Sequence, residues 1–178
     1  RRKRRYNFKK APAQLIPESG IMEHIHADAL GLLPLTRKGN QYVMIFTDRF
    51  SRWVEATALP SIDGPNTARA FYNEVITRHG FPRKVQTDRG TNFLGSMFTE
   101  LNRTLKIEKL TTTAYRPQCN GHVERFNDTL TTALTMYAKK NQDRWDDYLS
   151  SILFAYRTSS NSTTEETPFM LLYLSLIH

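Results

Sequence analysis

Three carboxylates, Asp28, Asp88 and Glu124, are the residues of this chain whose types and placement could do chemistry. Taken singly, each has an ordinary structural reading. Asp88, in Asp88-Arg89-Gly90, suits a turn; Glu124 suits the positive end of a helix; Asp28 suits the end of a strand. Brought to one point, they would repel one another and desolvate poorly. They become stable together when a hard cation neutralises them, and Mg2+ prefers such oxygen ligands. Other chemistries lack their residues. The sequence has no Gly-rich phosphate cradle, no nucleophilic serine elbow and no Cys/His zinc cluster, and Cys119 is its only cysteine. His24 and His26 alternate along one strand with no cysteine beside them, which reads as structural rather than liganding.

The elements that must position these acids follow from periodicity. Residues 24–30 alternate imperfectly and are bounded by Gly31 and Pro34, and 42–47 and 53–59 follow as further strands, giving a three-strand antiparallel meander. Ala68, Phe71, Tyr72, Val75 and Ile76 form a helical stripe over 66–79 that Gly80 and Pro82 end. A short strand at 84–88, a helix over 93–105, a strand at 107–113 and helices over 121–140 and 143–157 complete the order. The expected fold is α/β, a mixed five-stranded sheet with flanking helices. This order puts Asp28 on the first strand, Asp88 at the carboxyl end of the fourth and Glu124 at the start of the long helix. Sites in open α/β sheets form outside the carboxyl ends of strands, and a helix docked beside the sheet can bring its first turn there.

At 178 residues the chain suits one main domain, expected over 21–173. No apolar run approaches the roughly 20 residues needed to cross a bilayer, so no membrane span is expected. The lone cysteine and the absence of a signal peptide suit an intracellular, reducing compartment. Of the 25 Lys and Arg residues, seven (Arg1, Arg2, Lys3, Arg4, Arg5, Lys9 and Lys10) open the chain, leaving the rest nearly neutral within a net charge of +8. Such a run suits phosphate contact, nuclear import or a solvated end equally. With Pro12, Pro17 and Gly20 it makes residues 1–20 a basic, flexible linker, while 174–178 reads as a tail foreign to the domain.

Five sequence words surround the acids: Thr47-Asp48-Arg49-Phe50-Ser51-Arg52-Trp53, Thr87-Asp88-Arg89-Gly90-Thr91-Asn92-Phe93, Thr113-Ala114-Tyr115-Arg116-Pro117-Gln118, Asn120-Gly121-His122-Val123-Glu124-Arg125-Phe126-Asn127 and Ala155-Tyr156-Arg157-Thr158. With the spacing of Asp88 and Glu124, they resemble the catalytic cores of retroviral and long-terminal-repeat retrotransposon integrases, of the Ty3/gypsy or BEL/Pao type, across residues 21–173. The resemblance implies an RNase H-like fold and an Asp28-Asp88-Glu124 triad holding two Mg2+ or Mn2+ ions, with Asp28 bridging them. It implies DNA 3′-end processing and strand transfer on element ends and target DNA. Around Glu124, the residues Tyr115, Arg116, Gln118, Asn120, His122 and Asn127 are polar, aromatic or cationic, suited to holding a duplex by its phosphates. The resemblance further implies a homo-oligomer, an element particle in cytoplasm and nucleus, and a longer polyprotein with an N-terminal zinc domain and a C-terminal region. Arg116 and Cys119 depart from the residues usual in the family. A catalytically silent DNA-binding or tethering module is the alternative, and an RNase H or a bacterial DDE transposase would share the fold.

Overall fold

The computed structural model describes residues 20–88, 90, 93, 95–111 and 121–174, except the side chains of Ser96 and His122. All but the last residue of the expected linker, and all but the first of the expected tail, lie outside these residues. Strands β1 (His24–Leu30), β2 (Tyr42–Asp48) and β3 (Val54–Leu59) form the antiparallel meander. Strand β4 (Lys84–Thr87) runs parallel to β1, and β5 (Glu108–Thr111) parallel to β4, giving one mixed sheet in the order β3-β2-β1-β4-β5. The sheet with helices on both faces is the mixed α/β arrangement expected from the sequence.

Because side chains alternate along a strand, β2 feeds two cores at once. Met44 and Phe46 join Ile25, Ala27 and Val85 beneath helices α1 (Gly64–Phe71) and α2 (Ser96–Thr104), with Phe71 and Phe98 as the helical contributions. On the opposite face Val43 and Ile45 join Val54 beneath α3 (Gly121–Tyr137) and α4 (Trp145–Thr158), which supply Phe126, Leu130, Leu149 and Ile152. That double duty explains why β2 reads as a nearly continuous apolar run, as strands covered on both faces do.

The helix expected over 66–79 starts earlier, because Asp63 caps it. Its carboxylate accepts from the Asn66 amide at 2.8 Å, and a proline lies in the first turn. It passes through a π segment, Tyr72–Ile76, before its last turn, Thr77–His79, and stops at Gly80, whose φ of +83° favours glycine. The helix expected from 143 begins at Trp145 after a 3-10 turn, Gln142–Arg144. Asp146 there accepts from Thr36 Oγ1 and Asn40 Nδ2, and the Trp145 indole donates to the Pro34 carbonyl, fastening α4 to the β1–β2 connection.

Helix α5 (Pro168–Leu174) has no counterpart among the sequence expectations. Its start signals are present, since Pro168 opens it and Thr167 Oγ1 accepts from the Met170 amide. Seven residues that are almost all apolar show no periodicity. Among the described residues no helix is long and apolar enough to cross a membrane.

Candidate active site

Alternation puts His24, His26 and Asp28 on the α3 side of β1, since Ile25 and Ala27 point into the opposite core. On β4, Val85 likewise points into that core, so Lys84 and Gln86 share the face of the two histidines. The parallel register pairs His24 with Lys84, His26 with Gln86 and Ala27 with Thr87. One step further brings Asp88 beside Asp28 at the carboxyl ends of adjacent parallel strands. His26 reports on both: burial, the largest influence, lowers its pKa, while the negative charges of Asp28 and Asp88 act in the opposite direction. Burial also lowers the pKa of His24, as does the nearby Arg49 charge.

Each aspartate is held locally. Asp28 Oδ1 accepts from the Ala29 amide at 2.8 Å, and Asp88 Oδ1 accepts from the Gly90 amide at 2.8 Å. The link to α3 is Asn127, whose Nδ2 donates to Asp28 Oδ2 at 2.7 Å while its Oδ1 is buried without a partner among the described residues. Glu124 precedes Asn127 by three positions. Residues at that spacing are neighbours on a helix surface, so the contact that ties Asn127 to Asp28 also brings the exposed Glu124 to this end of the sheet. Packing of Phe126 against Tyr156, ring centres 4.7 Å apart, holds that turn to α4.

Two of the three acids thus lie toward the carboxyl ends of adjacent central strands, and the third rides a helix pinned to one of them. The carboxylates do not close into a cage: among the described residues no group of three or more His, Cys, Asp or Glu side chains is placed to hold a metal ion. The donor set itself, carboxylate oxygens without thiolate, fits a hard cation such as Mg2+. Of the residues read as DNA contacts, Tyr115, Arg116, Gln118 and Asn120 lie outside the described residues, as does the side chain of His122. Asn127 has its amide committed to Asp28.

The structure also reveals polar residues that the sequence reading passed over. Asp48, at the end of β2, is buried, its Oδ2 accepting from the Ser51 amide and hydroxyl at 2.8 and 2.7 Å and its Oδ1 from the Met22 amide at 3.1 Å. Glu55 is buried on β3, facing Trp53, Arg78, His79 and Arg157. Its one sequence signal is a lone acid in an otherwise apolar strand.

A family model described as the integrase core domain matches residues 19–117, which hold β1 to β5 with Asp28 and Asp88. The chain belongs to the integrase core domain family. Among its relatives, the retrovirus-related Pol polyprotein from transposon 412 of Drosophila melanogaster is 26% identical over 151 residues, 85% of this chain and 12% of that one. The Pol polyprotein of Feline endogenous virus ECE1 is 34% identical over 136 residues, 76% of this chain and 13% of that one. This integrase core therefore spans about an eighth of the length of these relatives. The HTLV-2 integrase catalytic core domain, solved in complex with magnesium in a trimeric form, superposes with a TM-score of 0.71 at 20% identity, covering 86% of this chain and 98% of that one. At that identity the likeness shows the fold.

Proposed function

We propose that this integrase core catalyses metal-dependent DNA 3′-end processing and strand transfer, with Asp28, Asp88 and Glu124 as the carboxylates that hold two divalent cations. The observation that carries the reading is the parallel register of β1 and β4, whose last pair, Ala27 with Thr87, is followed on each strand by an aspartate, with Asn127 tying Asp28 to the helix that carries Glu124. The magnesium in the HTLV-2 core supports a divalent metal at such a site.

When bound, a pair of Mg2+ or Mn2+ ions supplies activation of the attacking oxygen and neutralisation of the leaving oxygen in an in-line phosphoryl displacement. The chain's own residues do the positioning. Asp28, fixed through one oxygen by Ala29 and through the other by Asn127, would hold a cation with a carboxylate whose orientation is already set. Asp88 would contribute from the end of β4 and Glu124 from the first turn of α3. In end processing a water oxygen bonds to phosphorus as the P–O bond to the element's terminal 3′ oxygen breaks, leaving a free 3′ hydroxyl. In strand transfer that hydroxyl attacks a target phosphodiester, and the target's own 3′ oxygen leaves. No covalent enzyme intermediate is required.

The proposal extends to a homo-oligomer, because two element ends must be joined together, to flanking zinc and C-terminal domains within a polyprotein, and to action in a cytoplasmic and nuclear element particle. The test is disintegration, the reversal of strand transfer, on a branched DNA with Mg2+ or Mn2+, comparing the wild-type chain with Asp88→Asn. Metal-dependent strand release that disappears in the variant supports the triad. Release unchanged by Asp88→Asn overturns it, and DNA binding without any release marks the chain as a catalytically silent module.

A further inference from the structure

Strand β5 is one edge of the sheet, where a lysine ordinarily points to water and keeps other chains from pairing there. Lys109 in β5 turns the other way. The β4–β5 register sets it opposite Val85, whose side chain lies in the core beneath α1 and α2. From there its ammonium passes over the Phe98 ring, 5.7 Å from the ring centre, and donates to the Phe93 carbonyl. The adjacent acid, Glu108, pairs with Lys84 at 3.2 Å instead. Burial draws the Lys109 pKa below its ordinary value, and no described carboxylate opposes the shift.

The acceptor that Lys109 chooses leads to Asp88. The Phe93 amide donates to the Gly90 carbonyl at 3.1 Å, and the Gly90 amide donates to Asp88 Oδ1 at 2.8 Å. Thr87 Oγ1 donates to the Asp88 carbonyl at 2.9 Å. Phe93 is itself held twice, by its carbonyl on Lys109 and by its ring, 1% exposed and packed edge-on against Phe98 with centres 5.6 Å apart. A line of donors and acceptors therefore runs from the Lys109 ammonium through Phe93 and Gly90 to the Asp88 carboxylate.

Asp88 needs such support more than Asp28 does. Asp28 lies within β1 and receives Asn127, whereas Asp88 is exposed and follows Thr87, the last paired residue of β4. Lys109 shares the face of Val85, while alternation puts Asp88 on the opposite, α3 face, so the lysine acts on the acid through the backbone between them and not across the site. An ammonium that gives up water for one carbonyl and a ring face gains little stability over an apolar side chain in the same place. What it supplies is a fixed position for the carbonyl that it holds.

We infer that Lys109 is a positioning residue for the metal-binding carboxylates: by holding the Phe93 carbonyl it fixes the turn whose Gly90 amide orients Asp88. The inference rests on the integrase reading for the use made of Asp88, and it adds a residue on the far face of the sheet from the three acids. Without the lysine a cation would have to order Asp88 as it binds, which weakens its binding.

The test pairs amide hydrogen exchange of the metal-free full chain, read by NMR, with Mn2+ binding followed by electron paramagnetic resonance. Wild type is compared with Lys109→Met, which keeps the length of the side chain over Phe98 but not its donor, and with Lys139→Met. Lys139 lies beyond the far end of α3 and is exposed, so it controls for bulk charge. Lys109→Thr, a residue suited to strands, gives the same comparison should the methionine variant not fold. Loss of the lysine should speed exchange of the Gly90 and Phe93 amides by about tenfold or more and weaken Mn2+ binding by about tenfold, while Lys139→Met changes neither. Wild-type exchange at Gly90 in the folded variant would overturn the inference. So would faster exchange with wild-type Mn2+ affinity, which is the mark of a packing residue, or an equal loss in Lys139→Met. A wild-type chain that binds no Mn2+ sinks the metal-dependent reading, and faster Gly90 exchange in Lys109→Met then leaves the hold on Asp88 standing.

Discussion

Replacing Glu55 with glutamine should destabilise the fold far more than a single hydrogen bond is worth. The carboxylate is 3% exposed and accepts from the Trp53 indole at 2.9 Å, meets His79 Nε2 at 2.8 Å and Arg78 Nη1 at 3.3 Å, and pairs with Arg157 Nη2. Arg157 also donates to the Val54 carbonyl and lies over the Trp53 ring, 4.3 Å from its centre. Burial pushes the Glu55 carboxyl up, but the hydrogen bonds from His79 and Trp53 and the charges of Arg157 and Arg78 outweigh it and hold the carboxyl below its usual range. At the other end burial wins: it draws the Arg157 guanidinium below its ordinary value in spite of Glu55. Glu55→Gln therefore leaves a poorly hydrated cation uncompensated.

Removing one partner of a buried ion pair costs about 3–5 kcal/mol. Arg78 is half exposed and already bonded to Glu74 at 2.8 Å, so it can turn to water, which puts the expected loss at about 3 kcal/mol. For a domain of this size that corresponds to a fall of about 6–12 °C in Tm, read by calorimetry and urea unfolding at pH 7. The joint variant Glu55→Leu with Arg157→Met should lose less than Glu55→Gln alone, because it removes the stranded charge too. The pH dependence has a definite sign. A carboxyl whose folded pKa is depressed contributes stability that is fully present above its unfolded value, about 4.3 for glutamate, and that is lost as pH falls through the folded value. Glu55→Gln should flatten that acid limb. A loss below about 1 kcal/mol at pH 7, with the acid limb unchanged, would refute the reasoning.

Two further substitutions test other joints. Phe126→Ala removes a ring that is 1% exposed and packed on Tyr156, and should cost about 3–5 kcal/mol in urea unfolding; a cost under about 1 kcal/mol would show that the first turns of α3 are not held by this contact. Asn127→Ala frees Asp28 Oδ2, and because residues that orient metal ligands influence affinity by about 10–100-fold, the Mg2+ midpoint for disintegration should rise within that range while Tm changes little; an unchanged midpoint would reduce Asn127 to a packing residue.

The meander and the positions of Asp28 and Asp88 on their elements are legible in the sequence because they depend on local signals: period-two alternation, a Gly-Leu-Leu-Pro break after β1, and an Asp-Arg-Gly turn directly after the short strand β4. The Glu55 network is not, because its partners Arg78, His79 and Arg157 lie 23, 24 and 102 positions away and only the closed fold brings them together. Asn127 is an intermediate case. Its spacing from Glu124 marks it as a neighbour of the site, yet nothing local says that its amide turns to Asp28, 99 positions earlier, instead of outward. The Arg52 side chain is hidden for another reason: a basic residue in a turn between strands normally signals solvent, and only the buried Asp48–Ser51 turn directs this one inward.

Strand β1 is paired on both edges, with β2 on one side and β4 on the other, whereas Glu124 sits in the opening turn of a helix. Opening such a strand requires breaking the sheet, whereas moving Glu124 requires lifting Val123 and Phe126, 2% and 1% exposed, out of the core behind it. The two carboxylates therefore answer to different kinds of cohesion, backbone pairing for Asp28 and side-chain packing for Glu124, so a substitution in the core beneath α3 shifts one acid while the sheet keeps the other in place.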